Sequence, residues 1–224
     1  MSRYTALSTE LHFQAVRDVG WSVVLDVGCG DGTNTVAYLE PHSVIGIDGY
    51  GPACETARAA GLSVMQGDLE QPWPIDDESV DVVSANQVIE HLADTDRFAR
   101  ECHRVLRPGG TAVISTENLA AWPNIAALLL GQEPFSNSYS KRVWAVGNRL
   151  SRRSGPLPEE VAAYPHRSVG SHQAVADLFV QYGFQHARSL GVHTLPTKST
   201  VLRWLRRIDV RHSMYITLIF RKTS

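Results

Sequence analysis

The chain is poor in the residues that build disulfide frameworks, structural zinc sites and membrane spans. Its three cysteines, Cys29, Cys54 and Cys102, lie far apart and form no CxxC pair, which argues against a disulfide scaffold or a zinc ribbon. The strongest apolar run, IAALLLG, is too short to span a bilayer. The stretch MSRYTALSTELHFQ has no basic head followed by an apolar block, so no signal peptide is expected and the expected location is the cytoplasm. Internal repeats and low-complexity tracts are missing as well. So is a strong net charge: 21 Lys and Arg stand against 23 Asp and Glu. That balance hides an asymmetry, because residues 1–100 hold 16 acids and 5 bases whereas residues 101–224 hold 7 acids and 16 bases. Either the two halves attract each other, or the first half favours a cation and the second an anionic partner.

What the chain does have is a regular alternation of short apolar runs and helical patterns. SVVLDV, SVIGID, LSVMQGD, SVDVVSAN and TAVIST read as buried strands, with helical spacing between them in TNTVAYLE, PACETARAAG and DTDRFARECHRVL. Pro41, Gly61 and RPGG mark helix ends. This order predicts an α/β fold of the Rossmann-like, doubly wound kind: seven strands, mostly parallel with an antiparallel last strand, and helices on both faces. The 224 residues are read as one domain. Residues 20–116 would form its cofactor-binding core, 117–170 a helical insertion after the fifth strand, and 171–224 a C-terminal helix and strands. Within the insertion, NLAAWPNIAALLLG and YSKRVWAVGNRLSRR are expected to be helical. A polar stretch of this length inside a domain suits a lid over an acceptor. SHQAVADLFVQYGF reads as an amphipathic helix with Ser171 as N-cap and Gly183 as its stop.

The chemistry gathers around VVLDVGCGDG. Gly28, Gly30 and Gly32 follow the first strand and open a helix, the place where doubly wound sheets bind ligands. The glycines run GxGxG, and Thr33 stands where a nicotinamide fingerprint would have glycine or alanine; the Gly-Lys-Ser/Thr of a P-loop is absent. Asp48 closes the second strand, where an acid can accept from both ribose hydroxyls. Asp68 closes the third, where a carboxylate can accept from an adenine amino group. Asp26 ends the first strand, where it could face an ammonium group. Three carboxylates at one sheet edge suit a cationic nucleoside and would repel a pyrophosphate.

These residues resemble the class I S-adenosylmethionine-dependent methyltransferases, particularly the small-molecule group that includes the ubiquinone-biosynthesis enzymes. The resemblance is close over residues 20–116, through VLDVGCGDG, GIDG, GDLEQPWPIDDESVDVV, NQVIEHL and VLRPGG in family order, and looser through HRSVGSHQAVADLFVQYGF. It implies S-adenosyl-L-methionine as cofactor and S-adenosyl-L-homocysteine as product. Asp26, Gly28, Cys29 and Gly30 would border the methionine part, Asp48 and Gly49 the ribose, Asp68 and Leu69 the adenine, and Asn86 the sulfonium. Gly49 replaces the bulkier residue often found after the ribose acid, and Tyr50 is the substitute at hand. The activity implied is methylation of an oxygen or nitrogen on a small molecule.

Methyl transfer needs alignment, and a base only where the acceptor must lose a proton. His166, in YPHRSVGS, and His91, in IEHL, are the candidates; His91 also has a structural reading, ordering the loop after the fourth strand. Trp122, Phe135, Tyr139 and Trp144 are expected to wall the acceptor, with Arg167 holding a carboxylate or phosphate on it. DDES reads as a solvated turn, and the paired acids and Asn of magnesium-dependent catechol methyltransferases have no counterpart, so no metal is expected. The expected partner is a small-molecule acceptor, anionic or borne on an acidic carrier protein, with no nucleic acid. TVLRWLRRIDVRH, with Leu202, Trp204, Leu205 and Ile208 among arginines, reads as a packed helix with a charged face; contact with an anionic membrane is the lesser reading. The rival functions are a nucleic-acid or protein methyltransferase and a regulatory protein that binds the cofactor without turnover.

Overall fold

Seven strands pair into one sheet in the computed structural model, which describes residues 3–40, 43–137, 139–151, 155–193 and 208–223. The strands are β1 (Val24–Val27), β2 (Val44–Asp48), β3 (Ser63–Gln66), β4 (Val80–Asn86), β5 (Leu106–Glu117), β6 (Phe184–Val192) and β7 (Tyr215–Lys222). Their order is β3-β2-β1-β4-β5-β7-β6, and β7 alone opposes its two neighbours, β5 and β6. The expected seven-stranded, mostly parallel sheet with an antiparallel last strand is therefore observed. From β1 the chain builds outward to β3, then crosses back to β4 on the other side of β1. The crevice at this switch point lies at the carboxyl ends of β1 and β4, directly over the glycine run.

The helices are α1 (Arg3–Asp18), α2 (Thr33–Tyr38), α3 (Gly51–Ala59), α4 (Thr95–Val105), α5 (Trp122–Leu129), α6 (Glu159–Ala162) and α7 (His172–Gln181). Strand side chains alternate between two apolar layers. Val83, Ala85, Ile114 and Leu218 pack with Phe98 of α4 and Phe179 of α7 on one face; Val82, Val113 and Ile219 pack with Phe13 and Val16 of α1 on the other. Phe179 stacks on Phe220 at 4.4 Å between ring centroids. Helix α1 has no counterpart in the sequence reading. Its buried face mixes Ser8, Thr9 and His12 with Phe13, Ala15 and Val16, so the apolar period that announces a helix is faint.

Two expectations need correction. YSKRVWAVGNRLSRR is not a helix where it is described, but a series of turns with one bridge between Val143 and Pro156. The Ser140 hydroxyl accepts from the amides of Arg142 and Val143, and Ala145 and Gly147 take positive φ angles of 55° and 83°. Asn148 then accepts from the amides of Leu150 and Ser151. Each of these local bonds competes with helical ones. The fifth strand, expected as TAVIST, begins earlier: RPGG ends α4 as expected but already belongs to β5, which pairs with β4 from Val80↔Leu106 onward through a register shift. Leu202, Trp204 and Leu205 lie outside the described residues, and Ile208 is exposed.

Helix α7 begins as expected: the Ser171 hydroxyl accepts from the Ala174 amide, and Gly183 follows with φ 83°. Ser171→Ala should lower stability by about 1 kcal/mol, the usual worth of such a cap. Urea unfolding at pH 7.5 measures it, and an unchanged midpoint would show the cap to be idle.

Candidate functional site

The glycine run is shaped by contacts on both of its sides. Gly28, at φ 70°, donates its amide to the Ile47 carbonyl, and a Cβ there would stand 2.5 Å from Val88 Cγ2. Glycine at 28 thus lets the loop pack against the segment that follows β4. At Gly30, φ 57°, an added Cβ would meet nothing within 4 Å. That side of the loop opens onto the crevice. The Gly30 amide donates to Asp48 Oδ2 at 2.9 Å, and the Tyr50 amide donates to Oδ1 at 2.8 Å. Asp48 is thereby fixed at the end of β2, with acceptor capacity remaining on each oxygen.

Asp26 is placed differently from the picture of three carboxylates sharing one open edge. It is buried beneath the loop, accepting from Thr35 Oγ1 and, at 2.9 Å, from Ser84 Oγ. Since the Ser84 hydroxyl proton goes to Asp26, Ser84 accepts from His12 Nε2 at 2.9 Å, which makes a buried chain from α1 through β4 to β1. Burial raises the Asp26 carboxyl to about 6, its two hydroxyl donors holding it back, and lowers the His12 imidazole to about 3. Neither His12 nor Ser84 was identified from the sequence. No motif marks them, and only the packing of α1 brings them to Asp26.

The remaining cofactor candidates occupy neighbouring strand ends. Asp68 is exposed past β3 and accepts from the Glu70 amide, while Leu69 beside it packs partly against the core. Gly49 leaves room beside the Gly67 carbonyl, 3.6 Å from where its Cβ would be. Cys29 is buried, and burial raises its thiol far above the ordinary range, so it is inert. Asn86, at the end of β4, accepts from Ser115 Oγ at 2.7 Å and donates to Thr9 Oγ1. The described loop residues, with Asp48 clamped and the Gly30 face open, fit a nucleoside with free ribose hydroxyls.

Across the crevice the end of the insertion meets the short 3-10 turn Ile89–His91. The Glu90 carbonyl accepts from the amides of both Arg167 and Ser168, at 2.7 and 3.1 Å. This pins His166 over His91, with ring centroids 4.9 Å apart. His166 Nδ1 lies 2.9 Å from the Ser136 carbonyl and 3.9 Å from Glu117 Oε2. The Glu90 side chain is 1% exposed and accepts from Thr116 Oγ1 at 2.8 Å; burial drives its carboxyl well above the ordinary range. Burial and the neighbouring His166 push His91 down to about 4, so its ring is neutral. Both predicted histidines are thus brought together, and the backbone of Tyr164 and Pro165 lies near the His91 ring. Glu90 was within the quoted IEHL motif but not singled out. Tyr164 was missed as well: its ring lies 6.3 Å from that of Tyr50, carrying the insertion to the Asp48 side of the crevice.

The expected acceptor walls are less uniform. Arg167 reaches toward Glu70 Oε1 at 3.8 Å. The Trp122 ring stacks on His212 at 4.4 Å and donates to Asp209 Oδ2, so the C-terminal segment holds it. Tyr139 is 83% exposed and encloses nothing in this arrangement. Phe135 is partly exposed, its amide held by Asn124 Oδ1, and Trp144 is half-buried with its amide on the Gly155 carbonyl.

Known proteins match this architecture. Residues 25–114 match the family described as a methyltransferase domain. A probable S-adenosylmethionine-dependent methyltransferase of Mycolicibacterium smegmatis is 43% identical over 99 residues, 42% of this chain and 38% of that protein. A ubiquinone biosynthesis O-methyltransferase of a Bradyrhizobium species is 33% identical over 119 residues, 49% of this chain and 45% of the other. The chain thus spans less than half the length of these curated relatives. A crystal structure of a Thermotoga maritima S-adenosylmethionine-dependent methyltransferase, a possible histamine N-methyltransferase, superposes with a TM-score of 0.65 at 17% identity, covering 98% of this chain and 91% of that one. That likeness carries the fold. Residues 25–114, which hold the glycine run, Asp48 and the switch point between β1 and β4, thus match a methyltransferase domain and are similar to the S-adenosylmethionine-dependent relatives.

Proposed function

We propose that this protein moves a methyl group from S-adenosylmethionine to an oxygen or nitrogen of a small-molecule acceptor. The observation that carries the reading is the open face of Gly30 beside the clamped Asp48, with His91 and His166 held across the same crevice. Bound S-adenosylmethionine supplies a methyl carbon on a cationic sulfur that leaves as a neutral thioether. Asp48 binds the ribose hydroxyls, Asp68 and Leu69 hold the adenine, and Gly28 and Gly30 admit the methionine part. Asn86, tied to β5 and α1, stands on the sulfonium side.

The acceptor enters beneath the end of the insertion. Its lone pair would take the methyl group that bound S-adenosylmethionine supplies, with the carbon–sulfur electron pair staying on sulfur. A hydroxyl acceptor also gives up a proton. His166 takes it at Nε2, since Nδ1 faces the Ser136 carbonyl and carries the hydrogen of that bond. Arg167, beside His166, supports an acceptor bearing a carboxylate or phosphate, and the excess of bases in residues 101–224 favours the same charge. The relatives named for ubiquinone biosynthesis support a small molecule as acceptor, with oxygen as the methylated atom. The whole chain works here as one unit, with residues 117–170 as the acceptor lid.

Incubating the protein with isotopically labelled S-adenosylmethionine and a metabolite extract, then finding by mass analysis which compound gains the label, tests this. A labelled small molecule, with release of S-adenosylhomocysteine, is expected. Cofactor binding with label in nothing would favour a regulatory protein, and label in RNA or protein alone would move the activity to a macromolecular acceptor.

A further inference from the structure

We propose that Glu90, His91 and His166 form a binding site for one divalent transition-metal ion, with zinc the best match. One carboxylate oxygen of Glu90 and one ring nitrogen of each histidine lie within 4.8 Å of one another. Two ligands on a tetrahedral zinc stand about 3.4 Å apart, so closure takes side-chain movements of about 1 Å.

The surroundings of each ligand suit this use. His166 donates Nδ1–H to the Ser136 carbonyl, which leaves the lone pair on Nε2. His91 has the complementary arrangement. Its Nδ1 is buried and has no hydrogen-bond partner, and the backbone of Tyr164 and Pro165 lies near the ring. A histidine that ligates a metal commonly donates its other N–H to a carbonyl, as His166 does, fixing tautomer and orientation. A buried ring nitrogen without a partner otherwise costs stability, and a metal ion would use its lone pair. Glu90 is oriented by Thr116 Oγ1 and its backbone is fixed by Arg167 and Ser168. Its carboxyl is buried with Glu117 near it, and the guanidinium of Arg167 is directed to Glu70. A cation among these groups would offset the burial of negative charge.

Two imidazoles and one carboxylate, with a position left open, are the donor set of catalytic zinc sites, and imidazole favours such ions over magnesium. The open position would hold an oxygen of the acceptor; this use rests on the methyl transfer proposed above, whereas binding of the ion does not. The lone pair of His166 can hold a proton or the ion, so with the ion bound the acceptor proton leaves to water.

The test titrates the chelator-treated full chain with zinc chloride, and with cobalt chloride to read the visible absorption of the bound ion. One equivalent should bind with micromolar or tighter affinity. His166→Gln should weaken it at least 100-fold and abolish the cobalt spectrum, its fold verified by circular dichroism. Glu90→Gln should weaken it similarly, judged only if it melts as a folded protein. Substoichiometric binding, or equal binding by wild type and His166→Gln, overturns the site. S-adenosylhomocysteine is titrated in parallel. If zinc binds but the nucleoside does not, the methyl-transfer reading fails and the metal site stands; the reverse pattern removes only the metal site.

Discussion

Asp48→Ala should weaken S-adenosylhomocysteine binding at least 100-fold. The carboxylate at the end of β2 accepts from the amides of Gly30 and Tyr50, so it fixes the two sides of the crevice relative to each other. In the proposed complex its remaining lone pairs accept from the ribose hydroxyls. A hydrogen bond to a charged group contributes about 1.5–3 kcal/mol, and two are lost together with the anchor of the glycine run. About 2.7 kcal/mol corresponds to the 100-fold figure. Asp31 provides the control. It stands on the same loop, is exposed, and its carboxylate accepts only from the Thr33 amide among the bonds described. Asp31→Ala should change affinity by less than about threefold, as a surface change away from the ligand does. Calorimetric titration of the three proteins decides it. A loss below about fivefold for Asp48→Ala would remove the ribose role.

Acid should destabilise this protein through His12 more steeply than its surface charges suggest. The ring is fully buried on α1, donating to Ser84, and burial lowers its pKa to about 3 from 6.5. As pH falls below 6.5 the unfolded chain takes up a proton that the folded chain refuses. Stability is therefore complete above pH 6.5 and is lost toward pH 3, by about 1.4 kcal/mol per pH unit. Between pH 7.5 and 5.0 the loss is about 2 kcal/mol. Asp26, at the other end of the chain through Ser84, has the opposite sign. Its pKa is raised from 3.8 to about 6, so its ionisation destabilises the folded state as pH rises through that window. His12→Gln keeps a donor for Ser84 but has nothing to titrate, and it retains Asp26. Urea unfolding at pH 7.5 and 5.0 should show wild type losing about 2 kcal/mol more than the variant. Equal losses in the two proteins would mean that His12 is protonated when folded.

How much of this was legible in the residues depends on the range over which each signal acts. The strands of the sheet, the glycine run and the ends of α7 follow from local alternation, positive φ and capping, all of which act over a few residues. Asp48 was placed correctly at the end of β2 because a fixed spacing separates it from Gly28 within one strand–helix–strand unit. YSKRVWAVGNRLSRR misled because its apolar spacing is helical, while Ser140, Ala145, Gly147 and Asn148 satisfy the backbone in turns instead. Helix α1 was invisible because half of its buried face is polar.

The sequence by itself therefore determined the doubly wound sheet and the glycine run and Asp48 at the carboxyl ends of β1 and β2, because periodicity and glycine geometry are written along the chain. Only the tertiary structure decided that Asp26 turns inward to Ser84 and Thr35, and that His166 comes to rest on His91 beside Glu90. Asp26 and Ser84 are 58 residues apart, and His166 reaches His91 from beyond β5. They meet because β4 and the insertion are joined at the Glu90 carbonyl and because α1 packs across the sheet, contacts for which no spacing in the chain gives a signal.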